Sequence, residues 1–161
     1  MIIGEPEKLA FLVERIPKWE VNGWKNGIMF LVVNGELYPK DLRATTFNSE
    51  LPDILGEHSA MMHPVRDVAL YAKSDAEIIA AIFAEEDADE GAYRWSIPFH
   101  EIGDAGFRVY VLTDGVCVKL LACAYRGDAP EFLDKLELPL PEYEAVVAGV
   151  REFYNSLTPA I

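Results

Sequence analysis

Two apolar-rich stretches of this chain are each broken by a turn signal. Asn34-Gly35 stands between IMFLVV and ELYPK. Asn-Gly is the favoured pair for a two-residue type I′ loop, because both central residues take positive φ. The register that follows pairs Val33 with Glu36 and Val32 with Leu37. One face then collects Ile28, Phe30, Val32, Leu37 and Pro39. The other mixes Met29, Leu31 and Val33 with Glu36, Tyr38 and Lys40. A sheet covered on one side needs an apolar face opposite a mixed one, so the first face is the expected core side. Pro39 suits an edge strand.

Asp114-Gly115 makes the second hairpin, between FRVYVLT and VCVKLLACAY. The expected register sets Thr113 against Val116 and Val111 against Val118. Phe107, Val109, Val111, Val118, Leu120 and Ala122 share a wholly apolar face. Arg108, Tyr110, Leu112, Cys117, Lys119 and Leu121 share the other. A slip of one residue would turn the apolar face to solvent, which fixes the facing. The run from residue 6 to 16 (Leu9, Phe11, Leu12, Val13, Ile16) is too short for periodicity to decide, and Pro6 and Pro17 favour a strand.

Three segments read as helices. Asn48-Ser49 precedes ELPDILGE, which predicts a short capped helix with its proline in the first turn. Ser74 with Glu77 is a capping box; it opens a helix whose stripe is Ile78, Ile79, Ile82 and Phe83. The third starts at Pro141-Glu142, with Tyr143, Val146, Val147, Val150 and Phe153/Tyr154 at helical spacing. Strands and helices in no regular βαβ alternation predict an α+β fold. Its mainly antiparallel sheet is built from the two hairpins, with two or three helices on one face, the C-terminal helix included. A length of 161 residues predicts one domain over 1–161.

Charge changes the picture more than composition does. The chain holds 27 acidic and 14 basic residues, a net of −13. Residues 1–80 carry 12 acids and 8 bases; residues 81–161 carry 15 and 6. A field of one sign this large repels nucleic acid and anionic membrane and draws basic partners. The run Glu85, Glu86, Asp87, Asp89 and Glu90 is the densest part. It is either a solvated helix end or an anionic docking patch for a basic partner. A solvated end is the commoner explanation of such a run, but acids at a helix C-terminus cost stability, which supports the docking reading. They are too crowded for a calcium loop, which alternates its ligands. A second acidic stretch, Asp128 to Glu144, holds six acids and one lysine.

The chemistry-bearing residues form no site. His58 and His63 are five apart, which would put them on different faces of a helix, and no C-x-x-C pair accompanies them; they read as loop or surface residues. His100-Glu101 could act as an acid–base pair only with a nucleophile or pocket beside it. Cys117 and Cys123, six residues apart on one strand, lie roughly 20 Å from each other, beyond disulfide reach. They read as reduced thiols, which suits the cytoplasm. No G-x-S-x-G elbow, Walker loop or dinucleotide fingerprint occurs. No cofactor, metal or catalytic residue is predicted. The start, MIIGEPEK, has acids where a secretory signal has bases. The apolar run Ile28 to Val33 is far short of a membrane span.

Several motifs resemble the Immunity protein 42 family of bacterial polymorphic-toxin systems. They are MIIGEPEKLAFLVE, Trp19, Asn26-Gly27 with Phe30, Asn34-Gly35-Glu36, Tyr38-Pro39-Lys40, and TTFNSEL from Thr45 to Leu51. SIPFHEIGDAGFRVYVL and PEYEAVVAGVREFY resemble the family's later strand entry and closing helix. The resemblance implies an immunity protein that binds a cognate secreted toxin domain and neutralises it by occlusion, as in contact-dependent inhibition, with no catalysis of its own. The acidic balance adds that the toxin domain is basic. Two other readings stand beside this one. One is an adaptor or scaffold domain, homodimeric or using exposed aromatics such as Trp24, Trp95 or Tyr125. The other is a small enzyme using Cys117, or His100 with Glu101.

Overall fold

A computed structural model describes residues 1–88, 93–125 and 129–157. Two sheets carry the architecture. In the first, β1 (Ile2–Gly4), β2 (Leu9–Arg15), β3 (Asn26–Val33) and β4 (Glu36–Tyr38) lie side by side in that order. β5 (Thr45–Thr46) pairs with the first two residues of β3. All these pairings are antiparallel. In the second, β6 (Val65–Arg66), β7 (Phe107–Thr113), β8 (Cys117–Tyr125) and β9 (Pro130–Pro139) are ordered likewise. Only the β6–β7 pair is parallel. The helices among the described residues are α1 (Phe47–Ile54), α2 (Val68–Tyr71), α3 (Asp75–Ala88) and α4 (Leu140–Leu157). The α+β architecture and the C-terminal helix are as the sequence predicts.

The first hairpin has the predicted register, with Val33 opposite Glu36 and Val32 opposite Leu37. Asn34 and Gly35 take φ of 51° and 83°, as a type I′ loop demands. The facing is the reverse of the expectation. Met29, Leu31, Val33 and Tyr38 are buried in the main core, whereas Leu37 is 41% exposed. The reason is tertiary. β2 pairs with β3 and brings Leu9, Phe11 and Val13 onto the Met29 face, and Tyr38 stacks on Phe107 at 4.7 Å. Glu36 and Lys40, which made that face look mixed, lie at its exposed end and pair with each other.

The second hairpin pairs Thr113 with Val118 and Val111 with Leu120, two residues on from the expected register. The Asp114 carboxylate accepts the N–H groups of Val116 and Cys117 at 2.8 Å each. That Asx-type turn stretches the connection beyond two residues. A two-residue shift preserves side-chain facing, so the predicted faces survive. Phe107, Val109, Val111, Val118, Leu120 and Ala122 enter the main core. Tyr110, Leu112 and Leu121 are equally buried, because α2, α3 and Trp95 build a second core on them. Helices therefore cover both faces of this sheet. Lys119 is buried there too; its Nζ donates to the Tyr71 carbonyl at 2.8 Å and sits over the Tyr71 ring. On the other face, α4 touches β1, β2, β8, β9 and α1, so one core joins the two sheets.

Ser74 and Glu77 make the predicted capping box, each side chain bonding the other's backbone N–H. α1 starts at Phe47, three residues before the expected Glu50, with Thr46 at the N-cap and Pro52 sixth in the helix rather than in its first turn. Fully buried Phe47 anchors that earlier start. Asn22-Gly23 forms another tight turn, which sets Val21 against Trp24. Asn26-Gly27, by contrast, stays within β3. A Cβ on Gly27 would lie 1.9 Å from the Glu14 carbonyl oxygen and 2.8 Å from the Phe47 ring, so glycine there permits close approach of β2 and α1.

Candidate partner-binding surface

The acidic run at the end of α3 divides. Glu85 is half-buried, and Arg94 Nε donates to its carboxylate at 2.7 Å. Glu86 points inward and is 6% exposed. Its carboxylate accepts from Arg108 Nη1 at 3.1 Å, Tyr110 OH at 3.2 Å and Ser96 Oγ at 3.5 Å. Desolvation raises the Glu86 pKa, with Arg108 and the hydroxyls pulling the other way. Two of the five acids are thus committed to the fold. Asp87 is exposed. Asp89 and Glu90 lie outside the described residues.

His100 and Glu101 do not act on each other. His100 Nε2 bonds the Asp53 carboxylate on α1, and this bond raises the imidazole pKa. Glu101 turns the opposite way and accepts the Thr46 N–H at 2.7 Å, capping α1 where no local side chain does. Glu50 of α1 reciprocates. Fully buried, it accepts the N–H groups of His100 and Glu101 at 3.0 Å each. Burial raises its pKa against the pull of those two donors. Two carboxylates thus lock α1 to the 98–104 segment. Above the lock lies an open cleft of about 440 Å³, lined by Asp53, Glu57, His58, Tyr93, Arg94, Pro98 and His100. It presents two imidazoles, two carboxylates, a guanidinium and a phenol, which suit ionic and hydrogen-bonded docking. His63 is exposed away from it.

The cysteines are unpaired. Burial pushes the Cys123 thiol up to about 12. Cys117 packs half-buried against the second core. Neither lines the histidine cleft. Of the aromatics singled out, Trp24 is 50% exposed, Tyr125 is half-buried and Trp95 is buried in the second core, which withdraws it as a contact. Trp19 is also exposed, and the Asn48 side chain clamps the neighbouring turn: it accepts the Lys25 N–H at 2.8 Å and donates to the Gly23 carbonyl. The lock residues Glu50 and Asp53 carried no sequence signal beyond polar positions on a short helix, since their partners lie about fifty residues away.

The arrangement defines a small acidic α+β protein whose polar clusters hold its own elements together. The family model for Immunity protein 42 matches residues 1–153, and the chain belongs to that family. Its function is accordingly an immunity function against a toxin. Its fold is similar to that of CdiI from Burkholderia dolosa AUO158, with a TM-score of 0.72 over 97% of this chain and 99% of that one, at 17% identity. No curated protein matches the chain. Among the described residues, no helix is long and apolar enough to cross a membrane, and no group of three or more His, Cys, Asp or Glu is placed to hold a metal ion.

Proposed function

We propose that this chain binds a cognate toxin domain tightly in the cytoplasm and covers the surface the toxin needs, without any turnover of its own. The family match over residues 1–153 carries this reading. The net charge of −13 supports a basic toxin domain, drawn in by long-range attraction and held by contact. Asp87, with Asp89 and Glu90, belongs to the steering charge. Co-expression with the toxin domain encoded beside this chain's gene tests the reading. Cells carrying both should grow, and the purified pair should elute as one complex; continued killing counts against it.

Reversing Asp87, Asp89 and Glu90 to lysine tests the steering. Association should slow at low salt and lose part of its salt dependence, with dissociation little changed. Glu85 and Glu86 are left intact in that variant, because their reversal would break the pairs with Arg94 and Arg108.

A further inference from the structure

The outward face of the first sheet is largely apolar. Register sets its side chains in rows. Ile2, Leu12 and Phe30 stand abreast across β1, β2 and β3. Ala10, Val32 and Leu37 form the next row across β2, β3 and β4. Glu14 and Ile28 form a third, and Glu14 is the one charged residue in the three rows. Their alternate neighbours Phe11, Met29, Leu31 and Val33 already fill the main core. Ile2, Leu12, Ile28, Phe30 and Leu37 belong to neither core. Ile2 is 55% exposed and Leu37 41%. α4 meets this sheet from the core side, where Gly149 lies against Ile3.

Ala10 and Val32 at the middle of this face are buried, at 0% and 4% exposure, and Leu12, Ile28 and Phe30 around them are half-buried; a partly exposed apolar patch that joins no core marks an interaction site. We propose that it is the apolar centre of the surface that receives the toxin domain; this rests on the immunity function proposed above. Four strands at about 4.8 Å spacing, each contributing up to five residues at about 3.3 Å rise, make a plateau of roughly 300 Å². Two copies stacked face to face would bury roughly 600 Å² in all, below the roughly 1,000 Å² of a specific interface. They would also bring together two bodies of charge −13. A basic domain meets no such repulsion. The plateau then supplies the desolvated centre of a larger contact, and charged groups around it supply the rim. The matching surface on the toxin is a patch of aliphatic or aromatic side chains ringed by lysine and arginine.

The test compares the full-length chain with Phe30→Asp, Leu37→Asp and Leu37→Lys, titrated against the toxin domain encoded beside its gene. Because these side chains lie outside both cores, the variants should keep the circular dichroism of the parent. Affinity should fall by about 100-fold for each Asp variant, as for a charge placed in an interface centre. Leu37→Lys should bind more weakly than Leu37→Asp, since it adds like charge against a basic partner. Parent-level binding by both Asp variants overturns the plateau and leaves the immunity function standing. Absence of binding by the unmodified chain overturns both. A dimer of the unmodified chain that Leu37→Asp dissociates assigns the face to a second copy and overturns the proposal. Should Phe30→Asp unfold, Leu37→Asp and Ile2→Asp at the exposed margins decide alone.

Discussion

Single residues here do work that their types do not announce. The dipeptide Asn-Gly occurs three times in the first 35 residues. At 22–23 and 34–35 it turns the chain; at 26–27 it runs straight through a strand. The difference comes from Glu14 and Phe47, whose approach only a residue without Cβ permits. Gly27→Ala should therefore destabilise the fold by about 3 kcal/mol or more, as overpacking against backbone does; urea unfolding measures it. Glu86 makes the same point about charge. It reads as one acid in a run, yet its partners Arg108 and Tyr110 lie more than twenty residues away. Glu86→Ala should cost about 3 kcal/mol, because it strands a guanidinium beneath α3. A cost below about 0.5 kcal/mol, the ordinary surface value, would show the carboxylate to be idle. The thiols offer a chemical check. With its pKa near 12, Cys123 is almost entirely protonated at neutral pH, so native-state alkylation should label Cys117 alone.

At the scale of elements, turn chemistry and capping were legible, because both are local. The Asn34-Gly35 hairpin and the Ser74–Glu77 box follow from a few adjacent residues. Which face of a strand turns inward did not follow, since β2 decides it through pairing. The second hairpin slipped by two positions because a carboxylate capped its own turn. The α1 lock was invisible for the same reason of distance. Glu50→Ala should leave the His100 and Glu101 amides without acceptors, at a cost of about 2–4 kcal/mol. The lock also titrates. Glu50 has a folded pKa above its ordinary 4.5. The fold binds that proton more tightly than the unfolded chain does. This contribution is full below pH 4.5 and is lost as pH rises through the raised value. His100 behaves alike one window higher: its bond to Asp53 adds stability below pH 6.5 that fades as pH rises through its raised pKa. Melting curves across pH for His100→Ala should lack the upper of these two slopes.

The whole molecule combines a shared core with an excess of one charge. Main-core residues come from both sheets, α1 and α4, so we propose that residues 1–161 fold as one unit. Fluorescence and circular dichroism should report a single coincident unfolding transition; two separated transitions would divide the chain at the sheets. The charge balance and the lack of an assembled catalytic motif were plain in the sequence and pointed to binding. The apolar plateau was visible only as a periodicity, and its outward facing took the three-dimensional pairing to reveal.

That plateau has a cost while the molecule waits. A protective protein must be present before the attack it answers, so it spends its life with Ile2, Leu37 and their half-buried neighbours partly open to water. Mutual repulsion among copies is what keeps such a stockpile dissolved. Near pH 4.5, where the charge vanishes, the stock should cloud. Leu37→Asp, which breaks up the apolar patch, should stay clear longer when turbidity is followed through that pH.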